Sequence, residues 1–292
     1  METLEEWNAR ADVAGARLAD PDMGAEHRRI APYPACPGVE LVTLEGIVQP
    51  FPLHFHGFWT VGQIVRGRRR TVCRGEERVL GPGDLVLFGP GEVHGCQPVG
   101  EEPLFYRSVV VPDELFEVPR GARFSRAFVR DPELAEAVAR VYALASDESA
   151  EALERQEALA ALVGRAAAHC DAPAGEDDAP LGEAVERARA LLDESLVTGV
   201  SLDELAQAAG LSRYHFLRVF SARAGLTPHR YLQAARANRA RSLLAAGATP
   251  AEAAAGAGFS DQAHMTRVFK ALFGLTPARY RAAADRAAGR GR

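Results

Sequence analysis

The residues best able to do chemistry fall into two groups, and the more telling one occurs twice. His215-Phe216-Leu217-Arg218-Val219-Phe220 is matched by His264-Met265-Thr266-Arg267-Val268-Phe269 at an offset of 49 residues. The same offset carries Gly225-Leu226-Thr227-Pro228 onto Gly274-Leu275-Thr276-Pro277 and Tyr231 onto Tyr280. Upstream it falls to 48, placing Ala209-Gly210-Leu211-Ser212 on Ala257-Gly258-Phe259-Ser260. In each copy the apolar residues at i, i+3 and i+4 face a core: Phe216, Val219 and Phe220, then Met265, Val268 and Phe269. Tyr214, Leu217 and Arg218 face out, as do Gln262, Thr266 and Arg267. An outward Arg can pair with two acceptors of guanine and a Gln with adenine, which suits a helix in the major groove of DNA. One Arg alone would read as a solvated charge. The same Arg in two copied helices reads as a DNA contact, with base and phosphate both open as its target. His215 and His264 are assigned no role.

The second group is His54-Phe55-His56 and His94, with Cys96 two residues beyond. Three histidines on one barrel can hold a metal with open coordination positions. They can also hydrogen-bond a small ligand or the barrel itself, and this is the favoured alternative. His54, His56, Trp59 and His94 are the effector-pocket candidates. Phe51, Phe55, Phe58, Phe88 and Phe105 line such a pocket or fill the core, with core favoured for most. The run Arg66-Gly67-Arg68-Arg69-Arg70 is expected to be solvated on a hairpin.

Each repeated motif needs a helix-turn-helix to present it. Ser201 with Glu204 makes a capping box for a helix running to Ala209. Gly210 ends it, and Ser212 caps a helix from Arg213 to about Ala224. In the second copy Thr249 caps, Pro250 opens the helix, Gly258 ends it, and Ser260 or Asp261 starts a helix to about Phe273. A helix from Pro228 to Ala246, closed by Gly247, joins the two, with Leu232, Ala235, Ala240, Leu243 and Leu244 as its apolar stripe. Its length is about 28 Å, near the ~34 Å repeat of major-groove faces along DNA. One chain can thus read two adjacent groove segments.

From about Cys36 to Val111, short apolar runs alternate with Gly and Pro, the pattern of an antiparallel barrel or sandwich. Asp131-Pro132 opens a helix carrying Leu134, Val138, Val141 and Ala145 on one face. A second, Ala150 to Cys170, carries Leu153, Leu159, Leu162 and Val163. The pair forms a hairpin on the barrel or on another subunit. Residues 1–35 read as a loosely ordered arm, 36–170 as the barrel domain with helices over 131–170, 171–180 as a linker, and 181–285 as the DNA-binding domain. The fold class is α+β multidomain, an antiparallel β-barrel with a helical hairpin followed by an all-α tandem helix-turn-helix domain.

Charge follows the same division. Residues 1–180 hold 18 Arg against 30 Asp and Glu, net −12, while 181–292 hold 16 Lys and Arg against 9 acids, net +7. Only the C-terminal part is suited to a polyanion. Four scattered cysteines without a CxxC pair exclude a zinc ribbon and a disulfide framework and are expected as free, buried thiols. No secretory signal and no membrane-length apolar run is present, so a cytoplasmic location is expected.

The patterns LAxxAGLSxxHFxRxFxxxxGxTPxxYL and GFSDQxHxxRxFKxxFGxTPxxYR resemble the AraC/XylS family of bacterial transcriptional regulators over roughly residues 183–283. The resemblance implies that the second helix of each unit enters the major groove. It points to Tyr214, Leu217 and Arg218, then Gln262, Ala263, Thr266 and Arg267, and Arg213 opens the first of these helices. Leu217 and Ala263 can touch thymine methyls at most. His54-Phe55-His56, Gly83-Asp84-Leu85 and Gly89-Pro90-Gly91-Glu92-Val93-His94 resemble the two cupin motifs, in keeping with the ligand-binding and dimerisation domain of such regulators. In metal cupins a carboxylate completes the histidine set. Residues 57–64 here read GFWTVGQI, leaving Gln63 as the nearest polar side chain and Cys96 as a soft substitute. Sensor domains of the regulators mostly bind organic ligands, so the resemblance implies no metal, no cofactor and no catalytic residue. The alternative is a metal-dependent cupin enzyme, using His54, His56 and His94, with an appended DNA-binding domain. Operator DNA and a small-molecule effector are the implied partners, with RNA polymerase and a second copy of the chain as further candidates and no membrane.

Overall fold

The computed structural model describes residues 26–171 and 179–287, except Glu117 and Arg120; the side chains of Ala179, Pro180, Tyr214 and Ala287 are outside this set. The chain divides into two compact units between Pro173 and Ala174.

The N-terminal unit holds β1 (His27–Pro32), β2 (Glu40–Ile47), β3 (Phe51–His54), β4 (Trp59–Arg66), β5 (Arg69–Cys73), β6 (Glu76–Leu80), β7 (Leu85–Phe88), β8 (His94–Pro98), β9 (Leu104–Val111), β10 (Arg123–Phe124), β11 (Phe128–Val129) and β12 (Cys170–Asp171). An antiparallel sheet in the order β1-β2-β9-β4-β7-β11 faces a second in the order β3-β8-β5-β6. Together they make the expected barrel as two facing sheets rather than one closed ladder. The strands DLVLF and SVVV are nearly continuous apolar runs because the larger sheet is covered on both faces. One face meets the small sheet through Ile47, Ile64, Val86, Phe88 and Leu104. The other, through Trp59, Val61, Leu85, Leu87, Val109 and Val111, meets the helical hairpin α1 (Pro132–Ser146) and α2 (Ala152–Ala167).

Asp131 caps α1 by accepting from the N–H groups of Glu133 and Leu134. The hairpin packs on the barrel of its own chain, with Leu134, Val138, Val141, Leu159, Leu162 and Val163 buried. Two positions differ from the sequence pattern. Leu144, rather than Ala145, completes the buried stripe of α1, and Leu153 is 62% exposed because, nine residues before the buried Leu162, it lies on the opposite side of the helix. The arm expected over 1–35 is ordered at its end: His27–Pro32 pairs along its whole length with β2. Residues 1–25 lie outside the described residues, as do 172–178 of the linker. Asp171 closes β12, so the linker's first residue is in a strand.

The C-terminal unit holds α3 (Ala179–Glu194), α4 (Leu202–Ala209), α5 (Arg213–Ala224), α6 (Pro228–Ala245), α7 (Pro250–Gly256), α8 (Gln262–Phe273) and α9 (Pro277–Ala287). Both capping boxes form, Ser201 with Glu204 and Thr249 with Glu252. Ser212 and Asp261 cap α5 and α8. Gly225 and Gly274 end those helices in the left-handed conformation at φ 71° and 73°.

The long helix α6 crosses α3, α5, α7, α8 and α9. Its buried side is narrower than the predicted Leu stripe: Ala234, Ala235, Ala237 and Ala240 are buried with Tyr231 and Leu244, while Leu232 and Leu243 are half-buried. Small residues let five helices approach one axis. The second turn is fixed from outside its own unit. Gly258, at φ 81°, sits so close to the Leu196 backbone carbonyl that a Cβ there would overlap it, and Arg236 Nε donates to the same carbonyl at 2.8 Å. Gly210 has the same backbone conformation with open space around it. Gly210→Ala should therefore cost only the left-handed penalty of about 1 kcal/mol, whereas Gly258→Ala should cost several-fold more. Melting of the full chain followed by far-UV circular dichroism checks the difference.

Candidate DNA-reading helices and ligand site

The repeat extends from motif to contact. In the first copy Phe216 and Phe220 are buried, and Tyr231 of α6 meets Phe220 edge-on at 5.8 Å. In the second, Met265 and Phe269 are buried, and Tyr280 of α9 lies 5.7 Å from Phe269. Each tyrosine also lies under a guanidinium from the helix that precedes its unit. Arg189 of α3 stacks on Tyr231 at 5.6 Å, and Arg241 of α6 on Tyr280 at 5.4 Å. Helix α6 therefore does for the second unit what α3 does for the first. The sequence reading missed this equivalence, although Arg189 and Arg241 stand at similar distances before the two tyrosines.

With the inner faces fixed, the outer faces follow. Leu217 and Arg218 on α5 are exposed, as are Gln262, Ala263 and Arg267 on α8. Two candidates are engaged locally. Arg213 is ion-paired with Asp203 of α4, and the Thr266 hydroxyl donates to the Gln262 carbonyl one turn back at 2.8 Å. Tyr214 is on α5, but its side chain lies outside the described set. His264, without a role in the sequence reading, has its Nδ1 3.3 Å from the Ser260 hydroxyl and its ring edge-on to Phe259, so it stiffens the turn.

In the barrel, the antiparallel register sets His54 of β3 opposite His94 of β8, and His94 opposite Cys73 of β5. His56 follows β3, and its carbonyl accepts from the Gly91 N–H at 2.7 Å, which holds it against the loop leading to His94. The ring centroids of the three histidines lie 4.5–5.1 Å apart. Phe88 stacks on His94 at 3.8 Å and Phe58 on His56 at 4.7 Å. His54 Nδ1 donates to the Pro52 carbonyl at 2.7 Å and His94 Nδ1 to the Glu92 carbonyl at 2.8 Å. Burial pushes the His54 imidazole down to about 4 and His94 well below its ordinary value, so both are neutral at physiological pH.

The other candidates go elsewhere. Trp59 points to the opposite face of β4, where its Nε1 donates to Asp113 at 2.8 Å and its ring stacks on Phe116 at 4.2 Å. Gln63 shares that face and accepts twice from Arg107. Cys96 is two residues along β8 from His94, outside the histidine cluster. All four cysteines are free thiols, and Cys36 and Cys73 are buried. The expectation of a solvated arginine run fails at one position. Arg69 is 2% exposed, its two terminal nitrogens donating to the carbonyls of Gln49 and Ile47, while its Nε has no hydrogen-bond partner. The strand alternation that exposes Arg68 turns Arg69 inward beside Thr71 and Cys73.

A basic unit of two helix-turn-helix motifs and a separate barrel domain define the class: DNA-binding transcriptional regulators with their own ligand-binding domain. Residues 205–283 match the family model described as a helix-turn-helix domain, and residues 37–163 match the AraC-like ligand binding domain. The uncharacterized HTH-type transcriptional regulator YbfI of Bacillus subtilis (strain 168) is 34% identical over 233 residues, covering 77% of this chain and 84% of that protein. Among solved structures, ToxT from Vibrio cholerae O395 superposes with TM-score 0.52 at 10% identity, over 83% of this chain and 96% of that one. The unsaturated fatty acid-bound ToxT of Vibrio cholerae strain SCE256 gives 0.53 at 12% identity, over 83% and 94%. The chain belongs to the AraC family of transcriptional regulators, and its family is one of regulators rather than enzymes. No described helix is long and apolar enough to cross a membrane.

The neutral histidines make the barrel sensitive to acid. The unfolded chain protonates His54 near pH 6.5, while the folded chain resists until about pH 4. The stability this contributes is complete above pH 6.5 and is lost as pH falls towards 4, by about 3 kcal/mol for His54, with His94 acting in the same direction. Melting of the barrel in chelator-containing buffer should fall steeply across this window, and His54→Gln should flatten the dependence.

Proposed function

We propose that the chain is a one-component switch in which α5 and α8 read two successive major-groove segments of an operator under control of a small molecule bound inside the barrel. The observation that carries it is the twofold presentation of an exposed arginine, Arg218 and Arg267, at the same place on two copied helices. Leu217, Gln262, Ala263 and Thr266 complete the reading surface with Tyr214. Arg213 joins it by exchanging Asp203 for a phosphate, since a surface ion pair holds it by only about 0–1 kcal/mol. The 18 residues of α6 span about 27 Å, which suits groove segments one turn apart, so a single chain covers the site formed by residues 181–285.

The effector is argued from this chain's own residues, because the ToxT likeness carries the fold alone. The inner face of the small sheet presents Arg69, Thr71, His54 and His94, all buried, opposite a wall of mainly apolar residues that also carries Thr60 and Ser108. That division favours a molecule with one polar or anionic edge. A cytoplasmic location, a homodimer and a contact with RNA polymerase belong to the same proposal.

Arg218→Ala and Arg267→Ala should each weaken operator binding by about 1–3 kcal/mol while leaving random-sequence binding nearly unchanged if they read bases. Equal loss on both would assign them to phosphates. Operator binding that survives deletion of 181–292 would end the proposal. For the sensor half, an organic acid or polyol at about 100 times its dissociation constant should stabilise the barrel by about 2.7 kcal/mol, read as a thermal shift.

A further inference from the structure

We infer that the barrel binds a divalent transition-metal ion through His54, His56 and His94. The inference rests on the reading of this domain as a sensor and names one ligand for it. One nitrogen from each of the three rings lies within 4.8 Å of the other two. In a tetrahedral site with metal–nitrogen bonds of 2.0–2.1 Å, such nitrogens stand about 3.4 Å apart. Ring rotations of about an ångström therefore complete the site without moving a strand.

The geometry fixes which atoms face inward. A carbonyl can only accept, so the contacts to Pro52 and Glu92 place the proton on Nδ1 of His54 and His94. Nε2 of each ring is left as the acceptor available to a ligand. This is the outer-shell arrangement that orients metal-bound imidazoles and raises their basicity. Acceptor nitrogens converging in a buried space repel one another, and a cation at their centre reverses the sign of that interaction. Phe88 and Phe58, stacked on His94 and His56, hold the rings and keep the site dry on two sides.

The donor set selects the ion. Three neutral nitrogens suit Zn²⁺, Ni²⁺, Co²⁺, Cu²⁺ or Fe²⁺, while Mg²⁺ and Ca²⁺ require oxygen donors. Among the described residues no carboxylate joins the set. Gln63 is on the other face of β4, and the Glu92 carboxylate is tied to the Gly89 N–H and to Arg74. The ion would keep its full charge and open coordination positions, so an anionic donor from the effector is the chemistry that completes it.

The test uses the full-length chain without a polyhistidine tag, stripped with a chelator and dialysed. Zn²⁺, Ni²⁺ and Co²⁺ are each added and bound metal is counted by elemental analysis. One ion per chain is expected, with affinity falling at least tenfold in His56→Gln and His94→Gln and unchanged in Cys96→Ser and His264→Ala. Operator binding and circular dichroism confirm that each variant folds. Where a variant does not fold, the Co²⁺ spectrum of the wild-type chain decides. Imidazole ligation without thiolate charge-transfer bands supports the site, and thiolate bands overturn it. Failure of all three ions to bind at micromolar concentration overturns it too, as does binding that both variants retain. If organic ligands still shift the melting of the stripped protein while metal fails, the sensor reading stands and only the metal assignment falls.

Discussion

The pleat of β4, β7 and β9 divides the N-terminal domain, and most of what the domain does depends on that division. Alternate side chains of a strand must point to opposite faces. In β7, Leu85 and Leu87 go to the helical hairpin while Val86 and Phe88 go to the barrel interior. The same alternation sends Trp59 and Gln63 outward and Ile64 inward. Tyr142 of α1 then locks the outer layer, its hydroxyl donating to the Val42 carbonyl at 2.7 Å and accepting from the Ser108 N–H at 3.2 Å. With the outer face filled in this way, the interior is free of the hairpin's packing demands. The small sheet can carry His54, His94, Thr71 and Arg69 on its inner face because the larger sheet is stabilised from its other side.

The C-terminal unit meets a different constraint with one shared element. A helix-turn-helix needs a third helix to bury its apolar face, and a tandem built from independent units would need two. Here α6 closes the first unit through Tyr231 and opens the second through Arg241. The cost is that α6 must accept neighbours on several sides, and its run of buried alanines is the consequence. The Leu196 carbonyl, touched by both Arg236 and Gly258, ties the second turn to the segment before the first unit. Helices α5 and α8 are thus held by one scaffold and not by a flexible tether.

The DNA-binding half was legible because its signals are local. Caps and helix-ending glycines act within a few residues, the 49-residue repeat shows them twice, and Ser201, Thr249, Gly225 and Gly274 take the roles their types dictate. The barrel was legible as a class, from short apolar runs and turns, but its contents were not. Trp59 sits only five residues from His54 in the chain, but it belongs to the larger sheet and faces the hairpin. Arg69 looks like its neighbours Arg68 and Arg70 in composition. Only the pairing of β5 between β6 and β8 decides that its side chain is the one turned inward. Arg69, whose fate depends on partners distant in sequence, was misplaced for that reason, whereas Leu153 was misplaced by its phase on the helix, opposite Leu162.

The polar inner face also says something about why it exists. A buried guanidinium cannot shed its proton and loses several kcal/mol of hydration unless it is paired. Arg69 recovers part of this from two backbone carbonyls, and Glu26, the carboxylate nearby, is hydrogen-bonded to Arg28 and Gln49. His54 and His94 spend one nitrogen on backbone and turn the other to the interior. Apolar residues of similar volume at these positions would make a more stable barrel. Local choices that oppose stability are expected where a protein must recognise something. Such choices gather on the interior faces of the barrel, on the small sheet and, with Thr60 and Ser108, on the larger one, which is where the proposed recognition would sit.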